Sequence, residues 1–341
     1  MRNEQLAIRA EGVRKRYGKD PSGPGLTEFD LEVPVGTVCG LLGPNGAGKT
    51  TAIRILATLL RMDAGRATVA GFDVQRQGDQ VRERIGLVGQ YAAVDEILPA
   101  RRNLELFGRL HHLTATEARN RADDLLERFA LSGTGRRPVS TFSGGMRRRL
   151  DLAASLIVRP PVLIIDEPTT GLDPAGRQEV WSAMRELVTA GTTLLLTTQY
   201  LEEADRLADR IALMRDGRVI AEGTPDELKS TSGGDWLDIT LSDATEIART
   251  RAIVDRVASA EVRVDAGSGR ISVPVHNRTR ALITVATALS EARIEPRDIT
   301  LRRPTLDEVF LHLMVGTIPV GSGDPVGAGD GTANRTMEVS A

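Results

Sequence analysis

At 341 residues, 41% hydrophobic and 26% charged, the chain is long enough for one large domain and a smaller one, each with its own apolar core. A formal net charge of -2 argues against bulk attraction to nucleic acid, and the single cysteine, Cys39, excludes an intramolecular disulfide framework and a cysteine-built zinc site. No early apolar run fits a secretory signal and no long apolar stretch fits a membrane span, so any membrane work is expected to fall to a partner chain.

In chain order, Ile8 to Val13 reads as a strand and Gly23 to Leu31 returns toward the core, with Tyr17 in the bend between them. Thr37 to Leu42 (TVCGLL) reads as a buried strand that carries Cys39 as a structural thiol. The run from Gly43 to Thr50, GPNGAGKT, is then a complete phosphate-loop pattern, and Thr51 to Leu60 reads as the helix that follows. Across Gly43, Pro44, Asn45, Gly46, Ala47 and Gly48 the glycines let the backbone curl with its N–H groups inward, next to the positive end of a helix. Lys49 can reach the β- and γ-phosphates, Thr50 is placed to hold Mg²⁺, and Thr51 continues the helix start. An ordinary glycine turn is the alternative, and the strand before and helix after argue against it. This spacing predicts binding of a nucleoside triphosphate.

Short strands are expected at Ala67 to Val69 and Ile85 to Val88, followed by a helical, arginine- and leucine-rich insert from about Ala92 to Pro138. Within it, Ala118, Ala122, Leu125, Leu126 and Phe129 recur on one helical face. From Phe142 the chain reads FSGGMRRRLDLAASLI, so Ser143, Gly144 and Gly145 form a second anion-seeking helix start. One triphosphate cannot use both starts if they lie far apart, and the economical explanation is two subunits paired head to tail. Arg147 to Arg149 reads as a solvated helix face, the alternative being support for that junction.

Val162 to Glu167, VLIIDE, is an apolar strand ending in two acids. Asp166 is placed to hold Mg²⁺ through water, and Glu167 to orient and deprotonate an attacking water. A solvated strand edge is the competing reading of two adjacent carboxylates. A helix near Gly176 to Ala190 and a strand at Thr193 to Thr197 continue the alternation expected of an α/β nucleotide domain. After a polar break at Ser230 to Asp235, strands are expected at Leu237 to Leu241, Val262 to Val264, Ile271 to Val275 and Ile294 to Leu301. Helices are expected at Ala244 to Ala258 and Arg280 to Ala292, and a last one at Thr305 to Leu313 opened by a Thr305–Glu308 capping box. From Gly316 on, Gly and short polar residues predict disorder.

In this order the motifs resemble the nucleotide-binding subunit of an ABC transporter, over roughly Leu6 to Leu228. GPNGAGKT resembles the Walker A element, and VLIIDE the Walker B element with the family's catalytic glutamate at Glu167. FSGGM resembles the signature usually written LSGGQ, from which Phe142 and Met146 depart. Gln90 in GLVGQYAAVDE matches the glutamine loop that coordinates Mg²⁺ and senses the membrane partner. Asp173 in GLDP matches the loop that crosses the dimer interface, and Tyr17 the aromatic that stacks on adenine. Gln199 in TTQYLEEAD stands where the family often has histidine. Its amide N–H can bond a γ-phosphate but cannot titrate, so Gln199 reads as a phosphate sensor and Glu167 as the base.

Gln199, the segment VDEILPARRNLELFGRL and the ending PTLDEVFLHL further resemble exporter ATPases of the daunorubicin/doxorubicin-resistance type, to about Leu313. The resemblance implies an α/β P-loop NTPase fold: a nucleotide-binding domain over 1–229 with a helical subdomain at about 92–160, a small C-terminal α+β accessory domain over 235–315, and a disordered tail over 316–341. It implies ATP and Mg²⁺ as cofactors and a homodimer of ATPase subunits. A separately encoded integral membrane permease is the implied partner, nucleic acid is not, and the implied place is the cytoplasmic face of the cell membrane. The implied work is ATP-driven export of a small hydrophobic compound, a drug or antibiotic. ATPases of polysaccharide or lipid exporters are one alternative. Soluble ATPases of DNA repair, chromosome organisation or translation are another, which the lack of a long coiled coil, a zinc-binding cysteine set and a duplicated half argues against. The accessory unit is expected to stabilise the dimer or its docking to the permease through Val309, Phe310 and Leu313, with packing on its own small domain as the alternative.

Overall fold

Near-continuous apolar runs in three short strands set the architecture. The computed structural model describes residues 5–18, 23–89, 93–231 and 234–315; Gln90 and the expected tail 316–341 lie outside the described residues. Strands β1 (Leu6–Arg16) and β2 (Gly25–Pro34) pair antiparallel, and β3 (Val38–Leu42) leads through the phosphate loop into α1 (Lys49–Leu56). β4 (Ala64–Val69), β5 (Phe72–Asp73) and α2 (Gly78–Arg84) then lead to β6 (Ile85–Val88). The helical insert holds α3 (Ala100–Leu110), α4 (Ala115–Arg128) and α5 (Gly144–Ser155). The chain returns to the sheet as β7 (Val162–Asp166), α6 (Pro174–Thr189), β8 (Thr193–Thr198), α7 (Leu201–Leu207), β9 (Arg210–Arg215), β10 (Arg218–Gly223) and α8 (Pro225–Thr231).

The sheet order is β5-β4-β1-β2-β10-β9-β3-β8-β7-β6. β3, β7 and β8 are buried along their whole length and pair in parallel, as strands covered on both faces must. At the other edge β1, β2, β4 and β5 pair antiparallel, and among the described residues a single bridge, Arg218–Glu28, joins β10 to β2. The phosphate loop and the acids of β7 therefore emerge from the carboxyl ends of two parallel strands separated only by β8, the side of an open α/β sheet where ligands bind.

The accessory unit is a second sheet, β12 (Arg263–Asp265), β13 (Arg270–Val275), β11 (Asp235–Leu241) and β14 (Pro296–Arg302) in spatial order, all antiparallel. Helices α9 (Ile247–Val254) and α10 (Arg278–Glu291) cover it, closing a core of Leu237, Ile239, Ile271, Val273, Val285 and Leu289. The expected long helix from Ala244 is shorter than its pattern, a single 3-10 turn giving way to α9.

The last helix, α11 (Leu306–Val315), opens with the expected capping box: Thr305 N–H donates to Glu308 Oε2 at 3.0 Å, and Glu308 N–H to Thr305 Oγ1 at 3.3 Å. Its apolar side goes somewhere the sequence did not indicate. Leu306 and Val309 are buried in the ATPase unit's own core beside Leu207, Ala208 and Leu228, with Phe310 packed against the same cluster. The side chain of Leu313 lies outside the described residues. The accessory unit closes its own core and is also fastened to the ATPase unit, α11 packing against α7 and α8.

Candidate functional site

Two glycines make the phosphate loop possible. A Cβ on Gly43 would sit 2.6 Å from the Met214 carbonyl oxygen; Gly48 has φ +103° and would press a Cβ to 2.8 Å from Leu26 Cδ2 and 3.0 Å from the Gly25 oxygen. Helix α1 starts at once after Gly48 with no side-chain cap and no acid in its first turn, so its leading N–H groups are free for an anion. Lys49 is buried, its Nζ donating to the Gly43 oxygen at 2.7 Å and the Pro44 oxygen at 3.1 Å. Burial lowers its pKa from the ordinary lysine value, against the raising charges of Glu167 and Asp166. Tyr17, Pro24, Gly25, residues Asn45, Gly46, Ala47, Gly48, Lys49, Thr50 and Thr51, and Glu167 line one open cavity of about 220 Å³. The structure brings the loop, the aromatic and the second acid together.

The acids stand at the end of β7, where Asp166 is opposite Thr197 of β8. Thr197 Oγ1 donates to Asp166 Oδ1, and Thr50 Oγ1 lies 3.4 Å from Asp166 Oδ2. Glu167 has φ +48°, and its N–H is shared between the Thr197 carbonyl oxygen and hydroxyl, each at 3.1 Å. Thr170 Oγ1 donates to Glu167 Oε2 at 3.1 Å. Among the described residues threonine hydroxyls, not cations, hold both carboxylates. Among the described residues no cluster of three His, Cys, Asp or Glu side chains could cage a metal. One hydroxyl beside one carboxylate nevertheless fits Mg²⁺, which takes oxygen ligands and draws the rest from phosphates and water. Gln199 is exposed just beyond β8 and does not line the cavity; Gln90 lies outside the described residues.

The second helix start is built differently. Ser143 caps α5 by accepting the Met146 N–H at 3.2 Å, and Asp173 caps α6 by accepting the Gly176 N–H at 3.0 Å. Ser143, Gly144, Gly145 and Asp173 line a separate cavity of about 390 Å³ with Gly171, Leu172, Ala175, Gly176 and Glu179. No residue lines both cavities.

The arginine run is not a solvated face. Arg147 pairs with Glu96 at 2.9 Å, Arg149 with Glu179 at 3.2 Å, and Arg148 is buried with its Nε donating to the Pro168 oxygen at 2.9 Å. An isolated charge at that depth is prohibitive, so backbone carbonyls surround it. The sequence reading also passed over Thr197 and Glu203. Glu203 is fully buried and accepts from Thr169 Oγ1 and Trp181 Nε1, both at 2.9 Å. Burial raises its pKa above the ordinary value, opposed by hydrogen bonds from Thr198, Trp181 and Thr169. The available signal was polar residues interrupting apolar runs: Thr197 and Thr198 at the end of TLLLTT, and Arg148 one turn before Asp151 beside Leu150 and Leu152.

The ABC transporter family matches residues 26–170. The daunorubicin resistance ATP-binding protein DrrA3 of Streptomyces coeruleorubidus is 60% identical over 307 residues, covering 90% of this chain and 95% of that protein. The doxorubicin resistance ATP-binding protein DrrA of Mycobacterium tuberculosis is 48% identical over 315 residues, covering 92% and 95%. Among solved structures, cbiO1 of Clostridium perfringens, part of an ABC transporter complex, superposes with a TM-score of 0.61 at 26% identity over 74% of this chain and 97% of its own. Among the described residues no helix is long and apolar enough to cross a membrane. The chain belongs to the ATP-binding subunits of ABC transporters, close to the daunorubicin and doxorubicin resistance type, and its work is ATP hydrolysis coupled to transport.

Proposed function

We propose that two copies of this chain bind ATP head to tail at the cytoplasmic face of the membrane and drive a separately encoded permease that exports a small hydrophobic, drug-like compound. The separation of the two cavities carries this reading: one holds the phosphate loop and Glu167, the other Ser143 to Gly145 and Asp173. A triphosphate in the first is completed only by the second cavity of another copy. The substrate class is taken from the resistance proteins that this chain resembles.

In this mechanism Tyr17 stacks on the adenine, and the N–H groups of the loop and α1 hold the phosphates. Lys49 leaves the Gly43 and Pro44 oxygens to reach the β- and γ-phosphate oxygens. Thr50 and Asp166, with Gln90, are the residues to hold Mg²⁺, which neutralises charge on the transferring phosphoryl group. Glu167 orients the in-line water and accepts its proton, its backbone pinned by Thr197. Gln199, exposed beyond β8 and outside the cavity before ATP binds, turns in to donate an amide N–H to the γ-phosphate. The partner's signature then closes over that phosphate, so ATP binding shuts the dimer and hydrolysis releases it.

Mixed dimers test the arrangement. Lys49→Ala in one copy and Ser143→Arg in the other leave one complete composite site and should retain turnover; both lesions in the same copy should abolish it at both sites. Equal turnover from the two arrangements would reject the paired-site reading. Permease vesicles carrying the wild-type chain should accumulate daunorubicin when ATP is supplied, and ATP hydrolysis with no uptake of this or related apolar drugs would reject the substrate class.

A further inference from the structure

We infer that Arg148 is a positioning residue that ties the signature helix of each subunit to that subunit's own catalytic strand end, so the two ATP sites of the dimer work as a coupled pair. This rests on the paired-site reading above.

Arg148 lies on α5, whose first turn is the signature segment capped by Ser143. Its guanidinium spends all three nitrogens on backbone carbonyls of the core. Nε donates to Pro168 at 2.9 Å, Nη2 to Asp166 at 3.0 Å and Glu167 at 3.3 Å, and Nη1 to Gly89 at 2.6 Å. Those carbonyls belong to the exit of β7, which carries both acids, and to the residue just after β6. Asp151, one turn along α5, lies 3.5 Å from Nη1 with one oxygen and accepts the Ala93 N–H at 2.8 Å with the other. One side of one helix thus grips Gly89, Ala93 and the Glu167 backbone together.

The geometry makes α5 a transmitting element. A helix moves as a rigid body, so when Ser143 and Gly145 settle on a phosphate held by the partner, Arg148 moves with them. The carbonyls of Asp166 and Glu167 must then follow or lose their donors, and a buried guanidinium without acceptors is strongly disfavoured. Engagement in one site is thereby reported to the acid pair of the other. Only the planar fork of arginine meets four carbonyls arriving from two strand ends; a lysine ammonium keeps the charge but has three donors on one atom. The alternative is that Arg148 serves only as a peg under its own Glu167.

The mixed dimer separates the two. In the parent, the copy carrying Lys49→Ala contributes only its signature to the surviving site, and the copy carrying Ser143→Arg contributes only its phosphate loop and acids. Arg148→Lys is then added to the first copy, whose own acids face a disabled site. The expected result is a fall in turnover of roughly tenfold to a hundredfold, the cost of misplacing a closing group, with ATP affinity at the surviving loop held within about threefold. Unchanged turnover would overturn the inference, because a peg acts only in its own subunit. Loss of activity in the parent itself would instead condemn the paired-site reading. If the doubly altered copies assemble poorly, the Arg148→Lys homodimer with its permease gives a second readout. Its Hill coefficient for ATP should fall toward one relative to wild type, and an unchanged coefficient would overturn the inference equally.

Discussion

In the ATPase unit, the Asp166 and Glu167 carboxylates are held by threonine hydroxyls, and Glu167 lines an open cavity that Asp166 reaches through Thr50. Asp238 of the accessory sheet and Glu308 of α11 are held instead by guanidiniums. Arg302 Nε lies 2.5 Å from Asp238 Oδ2, its two terminal nitrogens bond Glu308 at 2.7 Å each, and Arg270 bonds the same Asp238 oxygen. Arg263 and Arg302 then cover the Trp236 ring at 4.8 and 5.4 Å. A carboxylate held by neutral donors keeps its charge available for a metal ion or a proton. One clasped by arginines has already spent it. The first arrangement suits catalysis and the second fastening, and the accessory unit accordingly carries a clasp to α11 where the ATPase unit carries a site.

The sharpest way to break this contrast is Glu167→Gln, which removes the proton acceptor and leaves the phosphate loop intact. Turnover with the permease should fall by roughly 10²–10⁴-fold, the range for a general base, with ATP binding retained. Near-normal hydrolysis would move catalysis away from the open acid pair. On the other side, Arg302→Met should leave Asp238 and Glu308 without their shared cation. A loss of about 2–3 kcal/mol in the unfolding of the accessory unit is expected, discounted for partial exposure of the clasp, with little change in ATP affinity. Denaturant titration followed by Trp236 fluorescence in a Trp181→Phe background reads the first quantity. A shift in ATP affinity as large as the loss of stability would show that the clasp is part of the site.

The clasp also gives a pH signature. Burial raises the Asp238 and Glu308 carboxyls, but bonds from Ser272, Arg270 and Arg302 to the one and from Arg302 and Thr305 to the other hold both below their ordinary values of 3.8 and 4.5. The unfolded chain therefore binds protons more readily in acid. The stabilisation is complete above about pH 5 and is lost as pH falls past 4.5 and 3.8 toward the folded values. The unfolding midpoint of wild type should drop over that window, and that of Asp238→Asn should drop less. Parallel curves would show that the arginines contribute no net pairing.

The loop and the acids were legible in the sequence because each is a contiguous motif whose backbone conformation makes its function. Gly48 is required by its own φ, and Asp166 by ending an apolar strand. What escaped was set by contacts between distant segments. Arg148 looked solvent-facing among three arginines because its partners, Gly89 and Asp166 to Pro168, lie elsewhere in the chain. For α11 the sequence offers an outward contact face or packing on its own small domain, and nothing local shows that Leu306 and Val309 meet Leu207 and Leu228. The β9–β10 hairpin was missed although its turn is written in the residues. Asp216 and Gly217 both have positive φ, as an Asp-Gly hairpin turn requires, and Gly217 packs against the Gly25 oxygen.

The smallest effects locate the boundary between the two units, and Cys39 reads them. Cys39 sits on β3 between β8 and β9 with 1% of its surface exposed. Burial, helped by the charge of Glu222 and opposed by Arg210, pushes its thiol up to about 12. At neutral pH the thiolate is a trace species and no reagent reaches it, so labelling waits for the central sheet to open. Opening of the accessory sheet alone should leave the labelling rate unchanged, as in Arg302→Met. Leu306→Ala is different, because that side chain belongs to the ATPase core although it follows the accessory sheet in sequence. Truncating it should cost about 2–3 kcal/mol and accelerate Cys39 labelling by the matching factor, while ATP still binds. If Leu306→Ala left Cys39 as protected as in wild type while Arg302→Met exposed it, the assignment of α11 to the ATPase unit would be reversed.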